Sequence, residues 1–226
     1  MVDPSNIGNT TPVSTTIATP AQALQQKHSS GKQGFSLFRL LVLLSISIGG
    51  LVWDLWTKQQ VFTSLGCPGV LPGPGVLPVW KGQVLGIAIQ FQLETTFNHG
   101  ALWGMGQGQT WLFASLSFVA VGVIAYFLWS GQVTASKWLT VATGLLLAGT
   151  LGNLYDRMGL HGFKDANGQT ICAVRDFLDF WFFGTFHWAT FNFADTYLVT
   201  GAIMLVLHSF LVPTPGPSSG VSSTPS

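Results

Sequence analysis

Four apolar runs divide this chain, and each is too long and too free of charge to sit comfortably in water. Trp111 to Trp129 is nineteen residues with no charged side chain, and about 20 apolar residues cross the hydrocarbon of a bilayer as a helix. Leu40 to Trp53, Trp138 to Tyr155 and Thr190 to Val212 complete the set. The runs are continuous rather than alternating, which favours helices over a barrel. Only 8% of residues are charged, against about 25% in soluble domains, and the mean hydropathy is +0.45. The fold class expected is a mainly α membrane protein. Its four transmembrane helices span about 35–60, 109–130, 136–157 and 190–212.

Between the runs the chain changes character. Residues 1–34 and 213–226 are rich in Ser, Thr, Pro and Gly and are expected to form disordered cytoplasmic tails. The first run has no small-residue cleavage site after it, so it reads as an uncleaved helix rather than a signal peptide. From Val61 to Gly108 no helix is expected, because Pro and Gly interrupt the first half. Ile87 to Glu94 then alternates as a half-buried strand does, with Ile87, Ile89, Phe91 and Leu93 on one side. A small extracytoplasmic β-sheet is therefore expected between helices 1 and 2. Phe97 to Gly100 reads as a turn or loop, and 158–189 as a second extracytoplasmic loop.

Five of the eight acids crowd into Gly149–Asp195: Asp156, Asp165, Asp176, Asp179 and Asp195. An ionisable group against hydrocarbon is costly and by default marks a function. On a four-span topology with cytoplasmic termini, Asp54, Lys58, Asn98, Asn153, Asp156, Arg157, Asp176, Asn192 and Asp195 reach the same outer surface. The basic residues divide four inside to five outside, so charge alone leaves the orientation open. Asp54 with Lys58, and Asp156 with Arg157, read equally well as structural charge pairs. Asp165 and Asp179 are expected to be solvated loop acids, and His99, His161 and His187 interfacial. The histidines and two cysteines offer no metal-binding spacing, so no metal or cofactor is expected. Nor does the net charge of +1 suggest a nucleic-acid partner. Cys67 and Cys172 fall in the two outer loops, either as a disulfide or as free thiols.

Two carboxylates at one membrane surface can share a proton and activate water, and the residues alone leave Asp156 and Asp176 as alternative partners for Asp195. Here the chain resembles the signal peptidase II family, the bacterial lipoprotein signal peptidases, which are intramembrane aspartyl proteases. The resemblance spans about Phe35 to Val212 and rests on DLWTK (Asp54–Lys58), FNHGALWGM (Phe97–Met105), GTLGNLYDR (Gly149–Arg157), VRDF (Val174–Phe177) and FNFAD (Phe191–Asp195). It implies Asp176 and Asp195 as the catalytic dyad. Asn98, Asn153, Arg157 and Asn192 would hold substrate or orient the dyad, and Asp54, Lys58 and Asp156 would form the framework. The implied substrate is a diacylglyceryl-modified prolipoprotein, cut before its lipidated cysteine by a monomer in the bacterial inner membrane. Leu102 and Trp103 depart from the family's pattern, and the loop between Arg157 and Asp176 is longer than usual. Other readings are a GxGD-type intramembrane protease, though the motif is absent, and a proton-coupled carrier, though no internal repeat supports one.

Overall fold

The computed structural model describes residues 36–100 and 109–211. Both expected tails, and residues 101–105 of the FNHGALWGM block, lie outside them. The elements run α1 (Leu37–Leu65), β1 (Val76–Val84), β2 (Ile87–Asn98), α2 (Thr110–Trp129), α3 (Lys137–Arg157), β3 (Val174–Phe182), β4 (Phe186–His187) and α4 (Phe193–Leu211). All four α-helices are long and apolar enough to cross a membrane, and the chain is a multi-pass membrane protein.

Helix α1 starts where the Ser36 hydroxyl accepts from Arg39 N, an N-cap. It runs to Leu65, five residues past the expected end at Gln60, because nothing in Val61–Leu65 breaks a helix. Gly66 stops it with φ +71°. A Cβ there would lie 2.3 Å from the Pro72 carbonyl oxygen, so both the turn and the close packing need glycine.

Helix α3 is the centre of the bundle. More than half of its apolar window (56%) is buried, against 6% for α2, which leaves α2 facing lipid. The difference follows from side-chain size. Gly144, Ala148, Gly149 and Gly152 line α3 and let α1 and α4 approach its backbone, the usual solution where hydrocarbon supplies no hydrophobic drive. A Cβ on Gly152 would stand 2.5 Å from the Asp54 carboxylate and 3.2 Å from the Ala194 methyl. Gly152 thus admits two site elements at once.

The expected sheet stands between helices 1 and 2, and it gains two strands from the second loop. Its order is β1-β2-β3-β4, all antiparallel. Three sequence expectations are corrected here. Val76–Val84 is a strand despite Pro78, which is tolerated because β1 is an edge strand with a register shift between Pro78 and Trp80. Residues 158–189 are not loop throughout: Val174–Phe182 pairs along β2. Phe97 and Asn98 likewise belong to β2 rather than to a turn.

The expected apolar side is present. Ile89 lies opposite Phe182, Phe91 opposite Phe180 and Leu93 opposite Leu178, with the Phe91 and Phe180 rings stacked 4.7 Å apart. Phe62, Cys67 and Phe177 form a buried cluster at the end of α1, joined by Phe97, Phe163 and Phe193. It ties the sheet to the helices. Cys67 and Cys172 are both free thiols, and burial raises the Cys67 pKa.

Candidate active site

Asp176 lies on β3, where pairing sets Thr96 opposite it and Asn98 two places along. That register carries the Asn98 amide to Asp176 Oδ2 at 3.0 Å. The Asn192 amide donates to the other oxygen, Oδ1. Asp176 is 1% exposed. Burial pushes its pKa up to about 8, and the nearby Asp195 charge adds to the rise.

Asp195 is held by a reciprocal cap. Asn192 precedes α4, and its side-chain oxygen accepts from Asp195 N at 3.0 Å. In return Asp195 Oδ2 accepts from Asn192 N at 3.2 Å. This is the capping-box arrangement written with Asn and Asp. Asn153 on α3 donates to Asp195 Oδ1 at 2.7 Å. Asn192 therefore bonds both acids, Asp176 through its nitrogen and Asp195 through its oxygen.

Behind this pair lies a second set of charges. Lys58 is fully buried and its ammonium meets Asp54 at 2.8 Å, Asp156 at 3.2 Å and the Asn153 side-chain oxygen at 3.1 Å. Those three acceptors use all of its protons. The bond to Asn153 Oδ1 also decides that the amide nitrogen faces Asp195. Asp54 Oδ1 accepts from Ala194 N at 2.9 Å, satisfying a free donor at the start of α4. Asp156 is shared with Arg175, whose guanidinium reaches it at 2.8 and 3.0 Å and whose backbone N–H adds a third bond at 3.0 Å.

Arg157 stands apart from these bonds. Its guanidinium lies 5.4 Å above the Phe113 ring and 3.5 Å from the Gly100 carbonyl oxygen, with its charge acting on both Asp195 and Asp176. Beside Asp195 opens a cavity of about 530 Å³, walled by Phe180, Phe182, Trp188, Phe191 and Val199. Two carboxylates, amide donors and an apolar cavity have thus met at one end of the bundle. This combination can bind an amphiphile and deliver an activated water.

The sequence model of signal peptidase (SPase) II matches residues 33–211. The chain belongs to the signal peptidase II family. Among relatives, the lipoprotein signal peptidase of Rhodopirellula baltica is 35% identical over 192 residues, 85% of this chain and 79% of that protein. The lipoprotein signal peptidase of Vibrio cholerae is 37% identical over 180 residues, covering 77% of this chain and 96% of its own. Two solved bacterial membrane enzymes share the fold, with TM-scores of 0.56 and 0.54 at 23% and 24% identity. They cover 80% and 76% of this chain and 94% of each of theirs.

For this member of the signal peptidase II family, all the expected site residues within the described segments gather at one end. Two further residues escaped the sequence reading. Arg175 is 1% exposed and completes the Asp156 cluster; its place beside Asp176 was the only available signal. Asp179 is fully buried rather than solvated. It accepts bonds from Gln92 and Trp181 across and along the sheet. The alternation Arg175-Phe177-Asp179-Trp181 places it on the sheet face that carries Arg175, opposite the face of Asp176, once β3 is recognised as a strand.

Proposed function

We propose that the chain is a lipoprotein signal peptidase of the bacterial inner membrane, with Asp176 and Asp195 as an aspartyl dyad. Its substrate is a diacylglyceryl-modified prolipoprotein. The observation that carries this reading is the bonding of the two acids: each carboxylate oxygen is met by an amide N–H, and no cation among the described residues forms an ion pair with either. Neutral amides orient a carboxylate while favouring its charged form less than a cation would, so the pair can hold one proton between them.

Asp176, with its raised pKa, carries that proton in the resting state. Ionised Asp195 takes a proton from a bound water as the oxygen attacks the scissile carbonyl. Asp176 donates its hydrogen bond to the carbonyl oxygen and passes its proton on as the tetrahedral intermediate forms; the departing amine is protonated from the dyad. Arg157 supplies positive charge to the substrate backbone, while the neutral Asn98 amide orients Asp176. The apolar cavity beside Asp195 receives the lipid chains while the peptide lies across the sheet. Both termini are cytoplasmic in this reading, the active site faces the outer leaflet, and one chain suffices for activity. Residues 1–34 and 213–226 are tails outside the peptidase domain.

The test is a gel-shift assay with purified enzyme and a diacylglyceryl-modified or unmodified prolipoprotein. Wild type should cleave only the modified form, and Asp176→Asn and Asp195→Asn should cleave neither. Full activity of either variant would defeat the assignment.

A further inference from the structure

The polar face of the sheet holds a buried acid that the reaction does not use. Asp179 Oδ2 accepts from Gln92 Nε2 at 2.8 Å and from Trp181 Nε1 at 2.9 Å. Its Oδ1 is bonded to His187 Nε2 and accepts from the Thr190 hydroxyl at 3.5 Å. One carboxylate therefore joins β2, β3, β4 and the segment leading to α4. A fully buried acid with this many donors is costly to desolvate, and it is satisfied only while all of them stay in place.

The donors bracket a pocket wall. His187 and Thr190 flank Trp188, which lines the apolar cavity beside Asp195. The backbone does little to hold this edge. Strand β4 is two residues long and pairs only through Trp181 with His187 and Phe182 with Phe186. Beyond it, Trp188 N donates to the Phe180 carbonyl at 2.9 Å, and Phe191 pairs with Leu178. Successive side chains on a strand point to opposite faces, so His187 turns to the polar side and Trp188 to the cavity. His187 also stacks on Trp181, ring centroids 4.4 Å apart at 20°. A bond on one face thus locates a wall on the other.

We propose that Asp179 and His187 form a positioning pair that sets how tightly the cavity beside Asp195 grips the acyl chains of a lipid-modified substrate. The identity of that substrate rests on the function proposed above; the wall's dependence on the pair does not need the cleavage step. Asp179 and His187 touch neither the dyad nor the reacting atoms. Their loss weakens the grip on lipid and leaves the bond-breaking step intact.

The experiment uses the full chain in detergent micelles and a fluorescent peptide carrying a dipalmitoylglyceryl cysteine, with a diacetylglyceryl peptide as the short-chain control. His187→Phe keeps the stacking on Trp181 and removes the bond to Asp179; His187→Gln restores a donor; Asp179→Asn is the complementary change. His187→Phe and Asp179→Asn should raise Kd and KM for the dipalmitoyl peptide about tenfold, which is about 1.4 kcal/mol. Turnover at saturation should stay within about twofold of wild type and the diacetyl peptide should show little change, as expected when only uniform binding is lost. His187→Gln should restore most of the affinity. Equal losses for both chain lengths, a fall in kcat at constant KM, or wild-type affinity in His187→Phe would overturn the proposal. Wild type that binds the dipalmitoyl peptide without cutting it would reject the peptidase reading alone.

Discussion

Three buried acids and the half-buried Asp195 meet at one end of this bundle, and they divide by the company they keep. Asp54 and Asp156 face cations: Lys58 lies between them, and two guanidinium nitrogens of Arg175 converge on one oxygen of Asp156. Asp176 and Asp195 face carboxamides, those of Asn98, Asn153 and Asn192. A buried ion pair is strongly weakened if one partner is removed, so the first set fastens α1, α3 and β3 together. An amide fixes direction and favours the charged form less than a cation does. The contrast teaches that in a dry site the partner, more than the acid itself, separates a rivet from a reagent. Asn153 stands on the boundary, accepting from Lys58 and donating to Asp195.

Exchanging one property at a time tests this division. The largest effect is expected at the amide-held pair, where Asp176→Asn or Asp195→Asn should reduce cleavage of a lipidated substrate about a thousandfold or more, with the protein still folded by thermal unfolding in detergent. Asn192→Ala removes a bond from each acid at once. It should lower kcat about a hundredfold and cost about 1 kcal/mol as a lost helix cap. Asp156→Asn breaks the cation-held set instead. Lys58 and Arg175 lose a shared counter-charge, so stability should fall by about 3 kcal/mol, while kcat in the surviving folded fraction falls less than for Asn192→Ala. If Asp156→Asn proved as inactive as the dyad variants while remaining stable, the division would be wrong.

A further effect is on stability against pH. Asp176 binds its proton up to about pH 8 when folded, and only to about 3.9 when unfolded. Between those values the native state holds more protons, so this group's contribution is full below about pH 4 and is lost as pH rises through about 8. Thermal midpoints of wild type should slope downward over that window, and Asp176→Asn should be flatter. Activity should fall as pH passes through about 8, because the donor proton leaves.

The two halves of the site differed in how far the residues announced them. The spans were legible because a charge-free run such as Trp111–Trp129 has few alternatives, and the expected limits 109–130 and 136–157 lie within one residue of α2 and α3. Strand β1 was hidden by Pro78, which signals a break unless the strand is known to be an edge. Strand β3 was hidden because Val174–Phe182 is buried on both faces near its start, so its pattern lacks clean alternation. With that strand unseen, Asp179 read as a solvated loop acid, and Arg175 was only counted among the outer basic residues. Their burial depends on β2 lying alongside, a pairing between residues about 80 positions apart that no local pattern encodes. The asparagines were named, but which acid each serves depends on the side-chain directions in the folded site.

The mutual bonds of Asn192 and Asp195 tie the last membrane span to the chemistry beside it. The turn that starts α4 is built from the side chain that bonds Asp176 and from the one that, in the proposed mechanism, activates the water. Any event that draws Asp195 toward a bound substrate must also tug at the first turn of that span. The helix can thus register occupancy of the site mechanically, without an added moving part.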